Sequence, residues 1–155
     1  MNEKVIARAG EIIKSKSAAE NMGAAVALSL IDSEGYPTTS AVSISKSDGI
    51  RQITFCTTMD SNKAKRAEAC NRASVCVFDD NYQENSFYNI TLVGTIEIVA
   101  DPAIKKEMWY EGMSGYCSGP DDANFCVLRF TTKRYNLWVG IEEEETAGSF
   151  DDGCK

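Results

Sequence analysis

Histidine is absent from this chain of 155 residues. Without an imidazole no Ser-His-Asp or Cys-His arrangement can be built, and the commonest general base near neutral pH is missing. The six cysteines contain no C-x-x-C pair, so no zinc-binding spacing exists. Neither G-x-G-x-x-G nor G-x-x-x-x-G-K-[ST] occurs, which excludes the dinucleotide fingerprint and the P-loop. No apolar run is long enough to span a bilayer. The opening segment MNEKVIARAGEIIKSKS has no continuous apolar stretch, so it does not read as a secretory signal. The expectation is a cytoplasmic protein whose hard chemistry, if it has any, is carried by a cofactor.

Positive charge is also scarce. The formal net charge is -7, and residues 142–155 take six acidic residues and one basic residue of the total. The remainder holds 15 basic against 17 acidic residues. The acidity therefore belongs mostly to a tail over 141–155, expected to be solvated, behind one domain over 1–140. A nucleic-acid footprint needs a basic face, and none is present. Among the cysteines, Cys56, Cys76 and Cys126 have apolar flanks and read as small core residues. Cys117 and Cys154 lie in polar stretches and read as exposed thiols.

What the chain does contain is a regular alternation of short elements. Residues 3–16 carry Val5, Ile6, Ala9, Ile12 and Ile13 on one helical stripe. Strands are predicted over 24–31, 36–45, 50–57, 73–79, 87–99 and 125–138. Asp32-Ser33-Glu34-Gly35 and Ser47-Asp48-Gly49 are turn signals between the first three. Gly94 marks a bulge or bend in the long strand. Asp101-Pro102 is an N-cap acceptor followed by proline at the first helical position, and that helix is predicted to run to about Met113. The pattern is α+β: six antiparallel strands with flanking helices, which suggest a small closed barrel.

The most informative segment is Ile53 to Phe78, ITFCTTMDSNKAKRAEACNRASVCVF. It reads as strand, polar loop, short helix over 61–70, strand. Ser61, Asn62 and Lys63 open the helix, with Lys65 and Arg66 close behind. Cations at a helix N-terminus oppose the macrodipole by roughly 0.3–1 kcal/mol each. An anion on the free N–H groups reverses that penalty. Lysines pointing into water are the alternative.

GYPTTSAVSIS over 35–45, the segment just quoted, NITLVGTIEIVADPAIKKEMW and KRYNLWVG occur in an order that resembles the pyridoxamine 5'-phosphate oxidase-like FMN-binding split β-barrels. The likeness is closer to their general-stress-protein branch. It covers about residues 3–140 and implies a six-stranded antiparallel split β-barrel with flanking helices. It implies a homodimer with two FMN sites at the interface. Val42 and Ser43 would lie along the flavin, with Cys56 and Thr57 at the strand end beside it. Ser61, Asn62 and Lys63 match the segment that holds the phosphate, with Thr57 or Thr58 as a hydroxyl donor. Asn89 falls near a family glutamine, and Trp138 matches a tryptophan that reaches the flavin from the partner subunit.

Three positions depart from the oxidases. Ser40 and Asn62 stand where they carry arginines to the phosphate, and lysine does not reproduce a guanidinium fork. Ser45 stands where they have a substrate-binding lysine, and their C-terminal substrate segment is absent, which argues against vitamin B6 oxidation. The resemblance implies an FMN-dependent oxidoreductase of unspecified substrate. The second reading is a non-catalytic flavin- or small-ligand-binding, redox-sensing dimer. The third is an interaction protein that has lost its cofactor. No catalytic residue stands out; Tyr110 and Tyr116 are the candidate proton donors, and no metal ligand set is present.

Overall fold

The computed structural model describes residues 2–81, 86–140 and 144–150. Parts of the predicted loop over 80–86, and Glu142, Glu143, Asp151, Asp152, Cys154 and Lys155 of the tail, lie outside them. Helix α1 (Glu3–Ser15) forms where the apolar stripe predicts it, and Asn2 caps it by accepting from the Val5 N–H. A single turn, α2 (Ala18–Asn21), follows. Strands β1 (Val26–Ile31) and β2 (Pro37–Val42) form a hairpin, and β3 (Ile44–Asp48) and β4 (Gln52–Thr58) form another. Both turns are those marked by the sequence; Gly35 and Gly49 supply the positive φ, 86° and 54°.

After β4 come α3 (Asn62–Ala69), β5 (Arg72–Asn81), β6 (Ser86–Val99), α4 (Pro102–Met108), a 3-10 turn (Glu111–Met113), β7 (Phe125–Trp138) and β8 (Thr146–Ser149). Among the described residues the sheet runs β2-β1-β5-β6-β7-β4-β3, with β8 paired to β7. All ladders are antiparallel.

The single strand expected over 36–45 is therefore two strands, at opposite ends of the sheet path. Only Ser43 separates them. Two virtual bonds reach no further than about 7 Å, so the two sheet ends must approach each other at Ser43. The sheet thus rolls into a barrel whose seam, between β2 and β3, carries no ladder. This is the split barrel the sequence predicts, with eight strands in place of six.

The interior follows from alternation. Val26, Leu28 and Leu30 of β1, Val75 and Val77 of β5, and Ile90 and Leu92 of β6 point inward, joined by Val5, Ala9, Ile12 and Ile13 of α1. Gly94 sits at the predicted bulge, where the β6–β7 register shifts and a Cβ would overlap the Thr131 carbonyl. Phe125 to Leu128 are buried on both faces because α4 and the 3-10 turn cover the outside.

The second helix is shorter than predicted. Asp101 caps it as expected, accepting from the Ala103 N–H, but α4 ends at Met108. Gly112 and Gly115 beyond it each weaken a helix by about 1 kcal/mol relative to alanine. Cys117 is buried, contrary to its polar surroundings in sequence. It packs under Met113 and Phe125. Part of the acidic tail is also docked: β8 pairs with β7, and Phe150 lies 5.5 Å from the Tyr135 ring, centroid to centroid. No helix among the described residues is long and apolar enough to cross a membrane.

Candidate functional site

A cleft of about 610 Å³ opens at the barrel seam, inside the range of roughly 300–1,000 Å³ usual for small-molecule sites. Val42, Ser43, Cys56, Thr57, Thr58 and Lys63 all line it. The sequence places these residues on three separate segments. The cleft collects them because the end of β2, the end of β4 and the start of α3 meet where the barrel fails to close. Met22, Tyr110, Gly112, Met113 and Tyr116 add the opposite wall. From the sequence Tyr110 and Tyr116 are candidates only as proton donors. For Met22 no signal exists in the sequence, because its place follows from the turn after α2.

The polar end is built around α3. Ser61 is the N-cap: its hydroxyl oxygen accepts from the Ala64 N–H at 3.1 Å and from the Thr57 hydroxyl at 3.1 Å. A hydroxyl has one proton of its own, so Ser61 retains a donor while both Ser61 contacts are to its oxygen. The Thr58 hydroxyl bonds to the Asp60 carboxylate and, as its first cause, holds that carboxyl below the usual range. Thr57 and Thr58, expected as anion donors, are thus engaged within the protein. The Lys63 side chain lines the cleft and forms no ion pair among the described residues. Asn62 is exposed, and neither it nor the half-buried Ser61 is among the residues that line the cleft.

The other end is uncharged. Burial pushes the Cys56 thiol up to about 12, and its Sγ donates to the Met108 carbonyl at 3.4 Å. Burial also raises Tyr110, whose hydroxyl contacts that of Ser43. Gly112 lets the Tyr110 ring pack in place, since a Cβ there would lie 2.8 Å from it. Ser45 is buried and donates to the same Met108 carbonyl at 2.5 Å, tying α4 to the sheet. Its role here is structural. Among the described residues no group of three metal-ligating side chains is present.

Asn89 and Trp138 are not in this cleft. They face each other across the β6–β7 ladder and line a second cavity of about 370 Å³ with Thr91, Asn136 and Glu145. One chain therefore does not bring them to the six predicted residues that line the seam cleft.

An antiparallel barrel with an open seam, a cationic helix start and an apolar wall defines a class, the split β-barrels. A family model described as pyridoxamine 5'-phosphate oxidase matches residues 18–139, and the chain belongs to that family. A Clostridium acetobutylicum protein described as related to general stress protein 26 of B. subtilis, pyridoxinephosphate oxidase family, is 26% identical, with a TM-score of 0.78 over 98% of this chain and 99% of that one. General stress protein 26 from Bacillus anthracis is 15% identical, with a TM-score of 0.69 over 90% of this chain and 95% of that one. A heme-binding protein from Mycobacterium smegmatis is 16% identical, with a TM-score of 0.69 over 92% of this chain and 57% of that one. The last two show the shared fold. A search of curated proteins finds no match.

Proposed function

We propose that the protein is an FMN-binding flavoprotein, with the phosphate held at the start of α3 around Ser61–Lys63, and that it works as an oxidoreductase. The observation that carries this reading is the Lys63 ammonium, unpaired among the described residues, at one end of a cleft whose other end is apolar. A dianion there would meet Lys63, the Ser61 hydroxyl and first-turn N–H groups of α3. A flat ring would lie along Val42 and Ser43 at the seam, where no ladder binds the two strands to each other. The flavin, when bound, supplies the electron-transfer chemistry. The chain's own residues position it and keep the wall dry. A homodimer would bring Asn89 and Trp138 to the partner's cleft, as the family resemblance implies.

A second reading is a non-catalytic flavin-binding module. The cleft lining favours it in one respect: among the described residues it holds no carboxylate, the chain has no imidazole, and Cys56 and Tyr110 both stay protonated near neutral pH. Titration with FMN, followed by the flavin absorbance bands, tests binding. Oxidation of reduced nicotinamide with an electron acceptor then separates the readings. Sustained flavin-dependent turnover supports the enzyme, and binding without turnover supports the module. No binding at millimolar FMN removes both.

A further inference from the structure

We propose that the cavity beside Trp138 binds a flat heteroaromatic cation, selected by the carboxylate of Glu145. Three observations converge on it. First, the cavity is polar and has an aromatic wall. Asn89, Thr91 and Asn136 line it with Trp138, whose ring meets that of Phe87 edge-to-face at 4.5 Å between centroids. The Cys76 thiol donates to Asn89 Oδ1 at 3.4 Å, which turns the Asn89 NH₂ to other partners.

Second, a specific strap delivers the carboxylate. Strand β8 pairs Thr146 with Leu137 and Ser149 with Arg134, so Glu145 comes next to Trp138 by register. The strap is anchored at its far end. The Arg51 guanidinium lies 4.5 Å above the Phe150 ring, and the Phe150 N–H donates to the Lys133 carbonyl at 2.8 Å. At Gly148 a Cβ would lie 2.5 Å from the Tyr135 hydroxyl, so any larger residue there would have to displace the Tyr135 ring. The strap lies beyond the family-matched segment 18–139.

Third, Glu145 lines the cavity without a cationic partner among the described residues. A carboxylate and an indole face both attract positive charge. The neighbouring amides add hydrogen bonds for a polar ring substituent. The cavity forms within a single chain, so binding does not require a flavin. Its place as a substrate site beside the flavin does rest on the dimer proposed above.

The test uses the full chain with Trp109→Phe, so that Trp138 is the sole tryptophan, and follows its fluorescence. The probes are 1-methylnicotinamide, a cation, and nicotinamide, its neutral counterpart. The cation should bind at least tenfold more tightly. Glu145→Gln should erase that preference, and Phe150→Ala should reduce it by loosening the strap. Equal binding of the two probes, a preference surviving in Glu145→Gln, or no quenching by either overturns the proposal. Calorimetry on the unaltered chain gives the same comparison if Trp109→Phe unfolds. A parallel FMN titration separates the two readings: cation preference without flavin binding removes only the flavin, and the converse removes only the cation site.

Discussion

At the scale of single residues, Lys63 and Ser61 carry the anion argument, and Asp60 works against it. Asp60 is an exposed carboxylate near the same helix start, bonded to the Thr58 hydroxyl. With Ser40 and Asn62 in place of arginines, Lys63 is the one cation lining the cleft among the described residues. Lys63→Ala should therefore weaken FMN binding by roughly 1.5–3 kcal/mol, the range for a hydrogen bond to a charged group. Riboflavin, which lacks the phosphate, should bind the variant as it binds the parent. Titrating both ligands checks this, and equal losses for both would remove Lys63 from the phosphate.

At the scale of elements, the short helix α3 depends on its cap. Ser61→Ala removes the acceptor for the Ala64 N–H and for the Thr57 hydroxyl. Losing an N-cap costs about 1 kcal/mol, which should appear as a lower urea midpoint with an unchanged slope. The strap is a second separable element. Phe150→Ala loses the ring against Arg51 and Tyr135, a cation–π contact of about 0.5–1 kcal/mol where exposed plus apolar contact. Amide exchange should quicken severalfold in β8 while amides of the β1–β5 ladder keep their protection. Uniform acceleration throughout the chain would show that the strap is part of the global unit instead.

At the scale of the whole molecule, the buried thiols make stability sensitive to alkali. Burial raises Cys56 to about 12 and Cys126 to about 11, from an ordinary 9.0. Both thiols are neutral when protonated, so the unfolded chain releases these protons at lower pH than the folded one. Their contribution is complete below about 9 and is lost as pH rises through 11 and 12. Denaturant melts between pH 8 and 11 should show falling stability, with a shallower fall in Cys56→Ala. An identical slope in that variant would mean that other groups dominate.

The residues alone specified much of this molecule, and the reasons are local. The stripe of α1, the turns at Gly35 and Gly49, the bulge at Gly94 and the Asp101-Pro102 helix start each rest on a conformational preference carried by one or a few neighbours. The family order of segments was legible for the same reason, and the fold gathers six of the residues that it points to, Val42, Ser43, Cys56, Thr57, Thr58 and Lys63, along one cleft. What lay beyond the sequence is whatever depends on contacts between distant segments. The division of strand 36–45 at Ser43 follows from barrel closure, and the burial of Cys117 follows from the cover of α4 and the 3-10 turn. The docking of Phe150 over Arg51 joins residues about a hundred positions apart. No local propensity encodes such a meeting; only the packed fold decides it.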